Sequence, residues 1–341
     1  MSAIYVQGIG AVSPAGWGVP AFRDALAKGE PLAEKDLPRP GFEKPLRFRQ
    51  VPAPQPRPAF LANARLRRIS PISQYATAAA LEALGSDLDA IKAGQIKLGI
   101  VLTVMSGCVN YSRRFYDETL RDPSTASPLV FPETVFNAPA SHIASLLGTN
   151  AINYTIVGDP GTYLQGLALA TDWISTGHVD RCLVIGAEEM DWLGADAYRL
   201  FQPKLVLGDG AGAVYLGKEP TGVQLTAITS PHLFLQTQNR HCAALKMRIE
   251  LSIPCHNTLL CDSTQNHLKL DAAENAAWYD WTGHRLSVKN VMGEGLMAAA
   301  AWQCVAAVDA IQTQQASAAN VSVVGCNQHA IGAQFRSFPQ Q

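Results

Sequence analysis

Residues 153–166 read NYTIVGDPGTYLQG. The run Asn153–Val157 is apolar and β-branched and predicts a strand. Gly158-Asp159-Pro160-Gly161 breaks it. The stretch GTYLQGLALATDWISTG then has the apolar spacing of a helix and a closing glycine at Gly177. A sharp strand-to-helix turn is a common seat for a nucleophile, because the helix start offers backbone N–H groups and a positive dipole end. Here the seat holds Pro160, which has no nucleophilic atom. Asp159 suits an N-cap and Pro160 a first helical turn. The expectation is a turn that keeps its part in the fold and carries no chemistry.

Outward from this turn, strands and helices alternate. Upstream lie a strand at Ala3–Gly8, a Gly/Pro turn GIGAVSPAGWG, a helix near Val19–Lys28 and an Ala-rich helix from Ile72. The strand KLGIVLTV (97–104) has no polar alternation, as in a parallel sheet covered on both faces. Residues 30–60, Pro-rich and charged, read as a surface loop, and residues 106–140 as a long irregular excursion before the helix ASHIASLLG. Downstream come the buried strand RCLVIGAEEM and LGDGAGAVYLGK (207–218), which turns into an outer strand. After residue 218 the order recurs more briefly, through the helix GLMAAAAWQCVAAVDAIQ to closing strands NVSVVGCNQ and IGAQFR. Alternating βα units place the chain in the α/β class. Two copies of one order predict an internal duplication, with halves at 1–218 and 219–341.

Composition narrows the function classes. Of 341 residues, 48% are hydrophobic and 16% charged, which suits a well-buried protein with an extensive interface. A net charge of −1 gives no electrostatic case for nucleic-acid binding. No run approaches the roughly 18 apolar residues of a membrane span. The start MSAIYVQGIG lacks the basic, apolar pattern of a signal peptide, so a cytoplasmic location is expected. Seven cysteines without a CxxC pair read as buried thiols in a reducing compartment. Cys255, His256, Cys261 and His267 fit no common zinc spacing. GIGAVSPAG lacks the spacing of a dinucleotide-binding turn. No metal or cofactor is expected.

Several stretches, in order, resemble the β-ketoacyl synthases of fatty-acid and polyketide assembly. They are YVQGIGAVSPAGWG, RLRRISPISQYATAAALEAL, NAPASHIASLLGTNAINYTI, GHVDRCLVIGAEEM with LGDGAGAVYL, and SVKNVMGEGLMAAAAW. The resemblance spans most of residues 1–217 and about 258–310, while 219–257 match poorly and look shortened. It implies the thiolase fold, two similar βαβαβαββ halves in a five-layered α-β-α-β-α arrangement. Active members use a cysteine at the start of a buried helix, two histidines that stabilise the enolate left when malonyl-carrier loses CO₂, and a lysine. Carried over, the nucleophile falls on Pro160, the first histidine on Ser263 in CDSTQNHLKLD and the second on Glu294 in VMGEG. Only Lys289 keeps its identity, and GCNQHAIG (325–332) replaces the family's GFGG-type loop. Glu294 would set a negative charge where an enolate should form.

The resemblance therefore implies a chain-length factor. Such a subunit pairs as a heterodimer with an active β-ketoacyl-ACP (acyl carrier protein) synthase and shares an acyl tunnel near the interface. The family's dimer contact uses the strand carrying NYTIV and the loop before it. That loop carries Tyr111, Phe115, Tyr116, Phe131 and Phe136, which are expected to line or stop the partner's tunnel. Arg65, Arg67 and Arg68 read as a solvated face or as a dock for the acidic carrier. Aryl polyene synthesis is the pathway favoured, with Pro160 standing where aromatic polyketide chain-length factors commonly carry Gln. The alternatives are a residual acyltransferase or thioesterase using the hydroxyl of Thr162 or Ser263, and a homodimeric acyl-binding scaffold. Lys289 with Glu294 reads as a buried ion pair. His142 and His178 read as helix-surface and helix-end residues.

Overall fold

The computed structural model describes residues 3–251, 257–326 and 328–339. Ten strands form its two main sheets. They are β1 (Ile4–Ser13), β2 (Leu98–Val104), β3 (Ile152–Val157), β4 (Arg181–Glu188), β5 (Gly210–Gly217), β6 (Val223–Ile228), β7 (Thr258–Asp262), β8 (Arg285–Ser287), β9 (Ala318–Val324) and β10 (His329–Ser337). The first five run β1-β5-β4-β2-β3 across the sheet, and the second five run β6-β10-β9-β7-β8. Pairing directions also repeat: two antiparallel contacts, then two parallel ones. The duplication expected from element order is thus present in the topology. A short antiparallel contact, Ile4↔Leu225 and Tyr5↔Gln224, joins the two runs edge to edge.

Helices complete five layers. They are α1 (Val19–Lys28), α2 (Pro71–Leu84), α3 (Val109–Arg121), α4 (Ala138–Leu147), α5 (Thr162–Ser175), α6 (Trp192–Phe201), α7 (Arg240–Glu250), α8 (Leu268–Ala277) and α9 (Met297–Gln312). Helices α2 and α4 cover the outer face of the first sheet, α7 and α8 that of the second, and α5 and α9 lie between the sheets. The central place of α9 follows from its sequence: it is apolar all round, and every residue but its last is buried. Close layer contact also explains glycines that resemble a nucleotide-binding turn. A Cβ at Gly8 or Gly10 would stand 2.0 Å from the carbonyl oxygens of Ala83 and Ala79 in α2. GIGAVS is a strand packed against a helix, and β1 runs on to Ser13.

Three expectations are corrected. Residues 106–140 are not irregular: they hold α3 and a short 3₁₀ turn, Phe131–Glu133. Residues 30–60 are not all loop, since Lys35–Leu37 and Leu46–Arg49 pair with each other and the latter with Leu207–Gly208. The strand in LGDGAGAVYLGK is not an outer one, because β5 is flanked by β1 and β4 and buried throughout.

No helix among the described residues is long and apolar enough to cross a membrane. The thiols of Cys108, Cys182, Cys242, Cys261, Cys304 and Cys326 are free. Cys255 and His256 lie outside the described residues, among which no cluster could hold a metal ion.

Candidate functional site

Strand β3 ends at Val157, and the chain turns through Gly158–Gly161 into α5. Pro160 is buried in this turn. The turn closes through backbone bonds: Thr162 N–H donates to Asp159 O at 2.7 Å and Tyr163 N–H to Pro160 O at 3.2 Å. The expected N-cap does not form. The helix begins after Gly161 without a side-chain cap, and the buried Asp159 carboxylate faces Cys326 and Gln328 instead. It accepts the N–H of Cys326 at 3.1 Å and of Gln328 at 3.3 Å, with Cys326 Sγ at 3.4 Å. Two backbone donors that converge beside Pro160 are therefore already filled by the chain's own carboxylate.

Two further groups close this space. The ring of His329 is buried against the turn, where a Cβ at Gly161 would stand 2.6 Å from its Nε2. Burial holds this histidine below its ordinary pKa, so it is neutral near pH 7. Cys326 supplies a thiol, but burial and then the Asp159 charge push its pKa upward, away from the thiolate a nucleophile needs.

Ser263 follows the end of β7 and is buried. Its hydroxyl donates to Glu274 Oε2, its N–H donates to Glu274 Oε1 at 3.1 Å, and its Oγ accepts the N–H of Val324 at 3.1 Å. Ser322 Oγ donates to the other Glu274 oxygen. Burial, then the Asp262 charge, lifts Glu274 to about 7 against these donors. Ser263 is thus a member of a filled core network. Thr162 is buried as well, its hydroxyl folded back against Gly158, so close that a Cβ there would stand 2.4 Å from Oγ1.

Lys289 Nζ donates to Glu294 Oε2 at 2.6 Å, and Glu294 Oε1 accepts the N–H of Leu296 at 2.8 Å. Both side chains are almost wholly buried. Burial alone would lower Lys289, but the adjacent Glu294 charge outweighs it and the net shift is upward. The pair borders a cavity of about 260 Å³ that Arg49, Lys204, Gln265 and His267 also line.

The five loop aromatics spread over α3 and the turn after it. Tyr111 donates its hydroxyl to Arg68 O at 2.9 Å, and the Phe115 and Phe131 rings meet at 5.4 Å. Phe136 covers Gly107, and Tyr116 is 63% exposed. No residue of α3 is buried. Instead the run Glu188-Glu189-Met190-Asp191 holds the segment in place. Glu188 accepts N–H groups of Met105 and Ser106, Glu189 accepts those of Ile72 and Asn110, and Asp191 grips Arg113 Nε at 2.8 and 2.9 Å. On the edge strand, Tyr154 is 55% exposed and Val157 similarly so, and among the described residues β3 pairs only with β2. Arg65, Arg67 and Arg68 are exposed. His142 pairs with Glu133 at 2.7 Å, and His178 accepts or donates to Thr176 Oγ1 at 2.8 Å.

The sequence reading missed Asp159 as an anchor, His329, Glu274 and the Glu188–Asp191 clamp. Only the last carried a usable signal: three acidic residues at and just after the end of a buried strand must find donors nearby.

The family model for 3-oxoacyl-[acyl-carrier-protein (ACP)] synthase III matches residues 160–230. No curated protein matches the chain. Solved structures match along its length. A β-ketoacyl synthase from Burkholderia phymatum STM815 superposes with a TM-score of 0.82 at 15% identity, over 99% of this chain and 100% of that one. A chain of the ishigamide ketosynthase/chain length factor gives 0.78 at 17%, over 99% and 100%. A chain of the ketosynthase ApeO in complex with its chain length factor ApeC, from Xenorhabdus doucetiae, gives 0.78 at 14%, over 99% and 98%. The chain has the thiolase fold of the ketosynthases.

Proposed function

We propose that this chain is a ketosynthase-like subunit with no acyl-transfer activity of its own, a chain-length factor that pairs with an active β-ketoacyl-ACP synthase. The observation that carries this reading is the turn at Pro160. No thiol stands at the helix start, the Thr162 hydroxyl is buried against Gly158, the adjacent backbone donors are taken by Asp159, and the lysine is neutralised by Glu294. A site that must stabilise a developing oxyanion needs its donors free and its field positive, and here neither condition is met. Residues 1–218 and 219–341 are read as its two duplicated halves.

The exposed aromatic helix α3 and the open edge of β3 support a partner. Apolar side chains on an unpaired strand edge are a liability in an isolated chain and an asset in an interface. In the role proposed, Tyr111, Phe115, Tyr116, Phe131 and Phe136 shape the partner's acyl tunnel. Arg65, Arg67 and Arg68 offer a face to the acidic carrier protein. An aryl polyene pathway remains our preference within this role.

The reading of Thr162 or Ser263 as a substitute nucleophile finds no support in the geometry, since both hydroxyls are buried and Ser263 is held by Glu274. The test is direct. Pure protein incubated with acyl and malonyl carrier is expected to gain no mass and release no CO₂, and Pro160→Cys alone is expected to leave this unchanged. Either activity in the unmodified chain would overturn the proposal.

A further inference from the structure

Asp159 and Arg240 are both buried, and among the described residues neither has an ion-pair partner. They meet instead on opposite sides of one peptide group. Arg240 Nε donates to the carbonyl oxygen of Gly325 at 3.0 Å, and the N–H of the same peptide, on Cys326, donates to Asp159 Oδ1 at 3.1 Å. A trans peptide points its C=O and N–H in opposite directions, so cation, peptide and anion stand in a row. Arg240 also donates to Val324 O at 3.0 Å and to Leu270 O at 2.6 Å. On the other side, Gln328 N–H donates to Asp159 Oδ2 at 3.3 Å, and Cys326 Sγ lies 3.4 Å from Oδ1.

A lone buried charge is costly. Here each is satisfied by backbone, and the peptide between them carries polarisation from one to the other. Backbone N–H groups that converge on one point make a concavity suited to an anion, and a guanidinium behind them strengthens its field. The neighbouring groups add no competing charge. His329 is held below its ordinary pKa and the Cys326 thiol above its own, both mainly by burial, and Lys289 and Glu294 cancel as a pair. The fit is close. A Cβ at Gly325 would overlap Asp159 Oδ2, and Gly325 lacks the left-handed φ that usually calls for glycine. Contact with the carboxylate, not backbone shape, accounts for the glycine.

We propose that the N–H groups of Cys326 and Gln328, backed by Arg240, form a carboxylate site that the chain fills with its own Asp159, and that a free small carboxylate enters once this side chain is removed. Nothing here depends on a ketosynthase, so the site can fail its test while the pairing role stands.

The experiment compares the unmodified chain with Asp159→Ala, which leaves a space of formate's size. Thermal unfolding is followed in formate, formamide and chloride, and formate binding by NMR titration. Asp159→Ala is expected to melt lower than the unmodified chain. Formate should recover most of the loss saturably, formamide should bind about tenfold more weakly or worse, and the unmodified chain should respond to neither beyond the chloride control. If Asp159→Ala folds only in part, its refolded yield in formate against chloride reads the same result. Gly325→Ala keeps the carboxylate but crowds it off the N–H groups, and should speed amide hydrogen exchange at Cys326 and Gln328 by about tenfold or more. No saturable formate effect on Asp159→Ala, formamide equal to formate, an equal effect on the unmodified chain, or unchanged protection in a folded Gly325→Ala protein would each overturn the assignment.

Discussion

Lys289 Nζ lies 2.6 Å from Glu294 Oε2, and neither side chain reaches solvent to any useful extent. Removing one partner strands a buried charge, so Glu294→Gln should destabilise the fold by about 3–5 kcal/mol. Replacing both by apolar residues of similar size, Lys289→Met with Glu294→Leu, should cost far less. Urea unfolding of the three variants measures this. A neutral Glu294→Gln would show that the pair does not hold the site closed.

Stability should fall as pH rises through neutrality. Burial lifts Glu188 to about 8, and Glu189, Asp209 and Glu274 each to about 7. A carboxylate raised above its unfolded value binds more protons folded than unfolded. Its contribution is fully present below the unfolded pKa and is lost as pH rises through the folded one. The melting temperature should therefore be lower near about pH 9 than near about pH 5.5, and Glu188→Gln should flatten the slope at its alkaline end. A rising profile over the same range would contradict these assignments.

The open edge of β3 gives a prediction about assembly. Tyr154 and Val157 lie on opposite faces of the edge strand and are about half exposed. Tyr154→Asp with Val157→Asp should leave the chain folded and abolish co-purification with the ketosynthase partner we propose. An interface in the obligate range, roughly 2,000 Å² or more in total, does not tolerate two buried unpaired carboxylates. Retained pairing would place the interface elsewhere.

An aromatic that stops a partner's tunnel and one that packs the monomer core differ in burial, and α3 separates the two. None of its residues is buried, so Tyr116→Ala should cost the fold no more than roughly 0.5 kcal/mol, as surface changes do. If the ring stops the partner's tunnel, its removal should lengthen the product by about one extension cycle, since each methylene newly buried contributes roughly 0.8 kcal/mol. Product profiling by mass spectrometry on intact complexes checks this, with Phe115→Ala and Phe131→Ala as companions. Unchanged chain lengths in all three would remove α3 from the mechanism.

The fold was legible where local pattern and layer position coincide. The continuous apolar runs of β2 and β4 and the all-round apolar α9 can only be interior, and Pro160 is visible in any reading of the turn. Helix α3 was not, because no residue of VNYSRRFYDETLR is fully buried and its polar and charged residues outnumber its apolar ones. Its start is fixed by tertiary acceptors on Glu188 and Glu189, over 70 residues away in sequence. Asp159 misled for the same reason. Its position suits a cap, but the unpaired N–H groups of Cys326 and Gln328, 167 and 169 residues on, compete for its carboxylate and win.

The most direct test of the central proposal is native and intact mass spectrometry of this chain co-expressed with its ketosynthase and loaded with acyl carrier protein. The expected result is a 1:1 complex in which the acyl adduct sits on the partner alone. An acyl adduct on this chain, or a stable homodimer that ignores the ketosynthase, would contradict it.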